Sequence, residues 1–266
     1  MAALSLPPSK TPFLGRLLWL LAKSDVLASA EAGVYGLTPL SYLLVDGILV
    51  DGEARQMAFP LAATSRYHME ATLGLADWFK KDVAQPPFDH VHGATQFEES
   101  MALLDPETDK LFHEALAAND WIGTVLRECR DLFNGLQSLT DCCGGDGTTA
   151  RAIVKAFRIS TQAVMLKLVL HFWSDEDCIN ILAQCKKAIP SREVGGKVIV
   201  VIDIVLGSSP ETMSETELLM DMLMFLCTRG RQRNENEWSM IFMKAGFSDY
   251  KIVKKLGARG VIEVYP

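Results

Sequence analysis

The sequence predicts an α/β protein in which a mainly helical, winged-helix-like N-terminal part precedes a doubly wound, Rossmann-like sheet. Three observations carry this. Helical apolar periods recur from Pro12 to Leu132. Beyond Gly135 the texture changes to strand, glycine turn, helix, strand, helix, strand. The run VIVVIDIVL within 197–206 is almost continuously β-branched, the mark of a strand buried on both faces of a parallel sheet.

Along the first part, Leu14, Leu17, Leu18 and Leu21 fall at i, i+3, i+4 and i+7, which predicts a helix from Pro12 to Lys23. Val34–Thr38 and Tyr42–Val45 read as short strands or a turn beside Gly47 and Gly52, and a helix followed by a small β-ribbon is a winged-helix pattern. Reading DNA would need a basic helix, whereas Pro12–Ala28 holds only Arg16 and Lys23, so packing or dimerisation is the expected role. Helical stretches follow over 59–79 and 96–132, the second broken at Asp105-Pro106. Between them Gln85-Pro86-Pro87-Phe88 predicts a stiff connection. The break at Pro106 divides the chain into 1–105 and 106–266.

In the second part, Leu136–Cys142 reads as a strand, Gly144–Gly147 as a turn, Thr148–Phe157 as a helix and Val164–Leu168 as a second strand. Asp175–Ala188 follows as a helix capped by Ser174, with Asp175, Glu176 and Asp177 suited to the positive end of its dipole. The 266 residues, 49% hydrophobic, suffice for two cores. A net charge of -7, spread along the chain, excludes a phosphate-tracking surface and with it nucleic acid as a partner. Six cysteines without CxxC or histidine-linked spacing predict free buried thiols in a reducing compartment, with no metal site. No apolar run reaches the roughly 20 residues that span a bilayer, and MAALSLPPSK lacks a signal core. A cytoplasmic address away from membranes is therefore expected.

Two constellations carry chemistry. In Leu139-Thr140-Asp141-Cys142-Cys143-Gly144-Gly145-Asp146-Gly147-Thr148-Thr149, glycines stand where a strand turns into a helix, so that backbone and helix N-terminus can approach a nucleoside-type ligand; the same residues also suit a plain tight turn. In LVLHFWSDEDC, His171 follows the C-terminal end of a strand, where open α/β sheets keep their ligands. After it come Lys186-Lys187-Ala188-Ile189-Pro190, Gly195-Gly196-Lys197, Asp203 inside the apolar strand, Gly230-Arg231-Gln232-Arg233, Trp238 and Met243-Lys244-Ala245-Gly246-Phe247.

That order resembles the plant S-adenosylmethionine-dependent O-methyltransferases of the caffeic acid and flavonoid type over nearly the whole chain, Leu37-Thr38-Pro39-Leu40-Ser41 and Phe88-Asp89-His90-Val91-His92-Gly93 included. The resemblance implies a homodimer, S-adenosylmethionine as methyl donor and the phenolic hydroxyl of a small flavonoid or phenylpropanoid as acceptor. It implies His171 as the base, oriented by acidic residues, one of which falls on Asp203 and the other on Gln232, which carries no charge. It implies Asp141, Gly144, Gly145, Gly147 and Lys167 toward the cofactor, and Trp173, Met224 and Thr228 toward the acceptor. A plain core role is equally open for Met224.

The chain departs from the pattern at three places. Cys143 occupies the first glycine position of the turn. From Gly147 through Ser174 there is no Asp or Glu to bind ribose hydroxyls, and Arg158–Gln162 leads straight to the strand before His171. The second and third strands are therefore expected to be missing, through an internal deletion near 158–162. The family's dimerisation helices before Leu4 are also expected to be absent. The predicted result is a sheet of about five strands with Leu136–Cys142 at an edge and low local stability over 144–162. Two functions remain open: phenol O-methylation, or a catalytically inactive, truncated relative acting in dimerisation or interaction.

Overall fold

The computed structural model describes residues 6–31, 33–45, 57–96, 99–118, 122–134, 136, 138–144, 153, 162–207 and 211–266, and in it a helical layer leads into a mixed sheet. Helix α1 (Thr11–Lys23) carries Pro12 in its first turn, where a missing N–H breaks no hydrogen bond. Its chain returns through an antiparallel ribbon of β1 (Leu27–Glu31) and β2 (Val34–Leu37). Of the two readings open for Tyr42–Val45, strand or turn, the structure has the turn: it is the end of helical turn α2 (Pro39–Tyr42) and the bend after it. The side chains of Thr38 and Ser41 each bond the other's backbone N–H, a capping box that starts a helix here, and Pro39 presets its first φ.

Seven helices follow among the described residues: α3 (Ala58–Ala63), α4 (Arg66–Leu73), α5 (Leu75–Trp78), α6 (Pro87–His92), α7 (Glu99–Leu104), α8 (Pro106–Ala118) and α9 (Ile122–Glu128). The connection expected at 85–88 is shorter than read, because Pro87 opens α6 from its first position. The break at Asp105-Pro106 is real. Asp105 Oδ1 accepts from the backbone N–H groups of Glu107 and Thr108, each at 3.1 Å, and so caps α8. Since α8 packs on α3 and α7, the helical layer continues to Ala118, past the Pro106 break.

The sheet holds β3 (Ser138–Cys142), β4 (Gln162–Lys167), β5 (Lys197–Leu206), β6 (Arg233–Asn234), β7 (Asp249–Leu256) and β8 (Arg259–Tyr265), interleaved with α10 (Asp175–Ala188), α11 (Glu211–Cys227) and α12 (Glu235–Lys244). Strand order is β3-β4-β5-β8-β7, with β6 paired to the end of β5. β3, β4 and β5 run parallel, while β8 and β7 are antiparallel neighbours, so the sheet is mixed rather than wholly parallel. β3 pairs directly with β4, Ser138↔Gln162 through Cys142↔Leu166, and among the described residues no strand lies beyond it. The helix expected over 148–157 falls outside the described residues except for Ile153, which is helical and buried.

Alternation along β4 divides the core. Val164 and Leu166 join Cys178, Leu182, Trp238, Ile241 and Phe242 on the face covered by α10 and α12. Ala163 and Met165 join Ile122, Val125, Phe133 and Ile153 on the other. Each large side chain so buried contributes about 1.5–3 kcal/mol. Leu226 and Cys227 of α11 pack with Ala71, Phe88 and Met101, which ties the helical layer to the sheet. Among the described residues no helix is long and apolar enough to cross a membrane, and no cluster of metal-ligating side chains occurs.

Candidate active site

The site sits beyond the C-terminal ends of β4 and β5. Leu168, at φ 52, turns the chain out of β4 into a single 3-10 turn, Leu170–Phe172, that carries His171. Asp203 reaches the same place through an irregularity in β5. The pairing with β8 jumps from Val201↔Val261 to Asp203↔Gly260, leaving Ile202 as an extra residue. The resulting bulge reverses the alternation, so Val198 and Val205, an odd number of residues apart, pack in the same cluster. Asp203 thereby shares the face of Val205, toward α10.

His171 Nδ1 lies 3.0 Å from Asp203 Oδ1, with the side chains 3% and 0% exposed. The contact is a close charge pair and not an aligned hydrogen bond, since both Asp203 carboxylate oxygens, like His171 Nε2, are buried without a hydrogen-bond partner. The side-chain amide of Gln232 stands 3.5 Å from Nδ1. The atom that faces Nδ1 is Gln232 Nε2, and Gln232 Oε1 is buried without a hydrogen-bond partner. The Gln232 backbone N–H donates to Asp221 Oδ1 at 2.7 Å, which fixes the residue to α11. Arg259 lies near Asp203 on the paired strand; burial brings its pKa down to about 10 and the Asp203 charge opposes that.

Sequence reasoning assigned no role to the residues that position this histidine. Arg233, fully buried, donates from Nε to Asp175 Oδ1 at 2.8 Å, from one terminal nitrogen to the carbonyls of Leu170 and Arg231 at 3.2 Å, and from the other to Trp173 O at 2.8 Å. It thus grips the backbone on both sides of His171. Its guanidinium lies 5.1 Å from the Trp238 ring centre, and Trp238 Nε1 donates to Ile204 O at 3.3 Å, so the grip is anchored in β5. Cys178 Sγ donates to Leu170 O at 3.1 Å, and burial pushes this thiol up to about 12, which keeps it a neutral donor. A Cβ on Gly230 would stand 1.9 Å from His171 O, so glycine is required there by close approach. One sequence signal was available for these groups, Gly230 at the head of Gly230-Arg231-Gln232-Arg233; nothing in the sequence marked Arg233 as buried.

Among the residues expected to face the acceptor, Met224 is buried and Trp173 is 46% exposed beside His171. Thr228 is occupied locally: its hydroxyl donates to Met224 O at 2.8 Å and accepts from Gly230 N at 2.9 Å, as helix α11 ends. Of the expected cofactor residues, Asp141 is next to last in β3, opposite Met165, and Lys167 closes β4 opposite Val201. Gly145 and Gly147 lie outside the described residues.

The strand-end turn fits a nucleoside-type methyl donor on the side that is described. Cys143 sits at φ 62, so the first position of the turn does use the left-handed region, and a residue bearing Cβ there is strained by about 1 kcal/mol. Next to it, a Cβ on Gly144 would lie 2.1 Å from Asp141 Oδ2, a space that only glycine leaves open beside the carboxylate. Asp141, Gly144 and Lys167 would hold the donor at this end, while residues 148–174 supply no acid for a ribose.

Comparison with known proteins gives a consistent picture. A family model described as an O-methyltransferase domain matches residues 73–161 and 159–248, two segments that meet where the internal deletion was expected. A flavonoid O-methyltransferase-like protein of Oryza sativa subsp. japonica is 54% identical over 314 positions, covering 100% of this chain and 84% of its own length. Those positions outnumber the 266 residues here, so a stretch of the relative has no counterpart. Daphnetin O-methyltransferase 1 of Secale cereale is 53% identical, covering 99% of this chain and 86% of itself. Among solved structures, human N-acetylserotonin methyltransferase in complex with SAM superposes with a TM-score of 0.72 at 18% identity, covering 94% of this chain and 81% of that one; it shares the fold.

Proposed function

The chain belongs to the S-adenosylmethionine-dependent plant O-methyltransferase family, and from that premise we propose that it methylates a phenolic hydroxyl of a small flavonoid- or coumarin-type metabolite, with His171 as the base. The observation that carries this is the buried imidazole whose Nδ1 lies 3.0 Å from the Asp203 carboxylate and whose Nε2 has no protein partner.

S-adenosylmethionine, when bound, supplies an electrophilic methyl group. The chain's own residues handle the proton. His171 Nε2 accepts the phenolic proton as the oxygen becomes a nucleophile, and Asp203 stabilises the imidazolium that results. A phenol near pKa 10 facing an imidazole near 6.5 leaves a gap of about 3.5 units, or about 5 kcal/mol, that a buried carboxylate at 3.0 Å helps to close. Gln232 holds the ring in plane without adding charge, so this site assists the imidazolium with one carboxylate rather than two. Burial of the ring excludes the water that would compete for Nε2. Trp173 and Met224 line the acceptor side and Asp141, Gly144 and Lys167 the donor side.

Incubation with methyl-labelled S-adenosylmethionine and a panel of coumarins and flavones is expected to label a phenol, and His171→Ala to abolish the label. No transfer above that control with any phenol sinks this reading. The second reading, a non-catalytic pairing protein, draws on the missing ribose acid and on α1, where no residue is buried and Phe13, Leu17, Trp19 and Leu20 are 62%, 52%, 62% and 59% exposed. Micromolar binding of S-adenosylmethionine by calorimetry counts against it. In both readings the helical N-terminal part serves to pair two chains, in the cytoplasm, and light scattering at tens of micromolar tests the pairing: a clean monomer refutes it.

A further inference from the structure

Gln232 faces the ring of His171, but its side chain is poorly placed to hold itself there. Its Nε2 stands 3.5 Å from His171 Nδ1, at the outer limit of a hydrogen bond, and its Oε1 is buried without a partner. The place of this residue is therefore set through its backbone. Asp221 Oδ1 accepts from the Gln232 N–H at 2.7 Å, the short length of a bond to a charged group. Asp221, in α11, and Thr228, just past its end, are seven residues apart and so within about 20° of one line along the helix surface. Thr228 Oγ1 accepts from the N–H of Gly230 at 2.9 Å, so two acceptors on that line take the N–H groups of residues 230 and 232.

The segment tied in this way meets His171 three times. A Cβ on Gly230 would lie 1.9 Å from His171 O, Gln232 faces the ring, and Arg233 holds the carbonyls of Leu170 and Trp173. Of the two ties, the one from Thr228 spans two residues and moves with the segment it holds. The one from Asp221 spans eleven, and it comes from the body of a helix whose Leu226 and Cys227 pack with Ala71, Phe88 and Met101. We propose that Asp221 is a positioning residue: by holding the Gln232 N–H it fixes residues 230–233, and through them the turn and ring of His171, to α11. This rests on His171 being the base of the proposed function. Asp221 acts on the rate of transfer rather than on binding of the phenol, because what it sets is the place of the proton acceptor.

Amide exchange in the intact chain, read segment by segment by mass spectrometry, tests this together with single-turnover label transfer. Asp221→Leu keeps the volume and loses the acceptor, while Asp221→Asn keeps an acceptor oxygen and loses the charge. In Asp221→Leu, residues 170–173 and 230–233 are expected to exchange about 10-fold faster, with β7 and β8 as the unchanged standard. Transfer at saturating phenol should fall about 10- to 100-fold, with flavone affinity within about 3-fold of native. Asp221→Asn should bring exchange and transfer back to within about 3-fold of the native chain. Unchanged exchange over 170–173 and 230–233 in Asp221→Leu, equal loosening of β7 and β8, a loss of flavone affinity as large as the loss of transfer, or no recovery in Asp221→Asn overturns the proposal. Faster exchange confined to those segments, in a chain that natively transfers no label, removes only the methyl-transfer reading, since the exchange measurement needs neither phenol nor methyl donor.

Discussion

Replacing Gly230 by alanine tests the idea that close backbone approach sets the position of the base. The added Cβ would lie 1.9 Å from His171 O, 2.5 Å from Phe172 C and 2.7 Å from His171 C, all backbone atoms. An ordinary contact begins near 3.4 Å, so the two segments must separate by about 1.5 Å. The histidine turn has little freedom to move: Arg233 holds Leu170 O and Trp173 O, and Cys178 holds Leu170 O again. Displacement therefore acts on the 3.0 Å contact between His171 and Asp203, or on the Gly230 N–H bond to Thr228. Overpacking of this kind destabilises by about 1–3 kcal/mol. A misplacement of about 1 Å at the base lowers transfer by about 100-fold. Urea unfolding and single-turnover label transfer measure the two effects. Gly15→Ala is the matched control: it has nothing within 4 Å, lies mid-helix in α1, and should stabilise by about 0.5–1 kcal/mol. A Gly230→Ala chain with unchanged stability and unchanged transfer refutes the reasoning.

Arg233→Lys keeps the charge but replaces four directed bonds by what one ammonium can reach, leaving buried carbonyls unsatisfied; a loss of about 2–4 kcal/mol in urea unfolding is expected, together with a change in the near-ultraviolet dichroism of Trp238. Burial pulls His68 down to about 4 despite its contact with Gln96 at 3.1 Å, so on acidification the unfolded chain takes up this proton first. Stability from this group is complete above pH 6.5 and declines as pH falls toward 4, by about 3 kcal/mol in all; His68→Gln should flatten that part of the urea-stability profile, and an unchanged profile sinks the assignment. Gln232→Glu adds a second negative charge beside the His171 ring, which favours the imidazolium formed on proton transfer; single-turnover label transfer should rise, and an unchanged rate shows that position 232 does not sense the ring.

What the sequence disclosed follows from where its patterns are strong. Helices α1 and α10 have regular apolar periods and clear first turns, and β4 and β5 have apolar runs, that of β5 interrupted only by Asp203, so each lies within a few residues of its expected place. β1 went unread because Leu27–Glu31 is exposed over four of its five residues and so shows no alternation. Paired prolines at 86 and 87 suggested a linker, yet the second opens α6. Inside VIVVIDIVL the residues before Ile202 are uniformly apolar and nothing marks it as the extra residue of a bulge; only the paired strand reveals it. His171, Asp203 and Gln232 were legible through resemblance and do converge. Arg233 and Asp221 were hidden for a shared reason: charged residues read as solvated surface, and their hydrogen bonds run to partners 60 and 11 residues away in sequence.

The shortened sheet has a topological consequence that bears on function. β3, β4 and β5 are parallel and adjacent in that order, so the two connections between them step in the same direction across the sheet. The second passes over the face of Cys178, Leu182 and Cys185, through α10. Ile153, in the first, packs on the opposite face with Ile122, Val125 and Phe133. Residues 148–174 supply no acid for a ribose, and that lack belongs to the donor end of the proposed site. The proposed acceptor end draws on residues 166–244: the β4 end, the β5 bulge, α11 and the Arg233 clamp. Binding of phenol and binding of methyl donor should therefore come apart in this chain, the second weakened by the strained turn at Cys143; separate calorimetric titrations with a flavone and with S-adenosylmethionine check this, and equal loss of both refutes it.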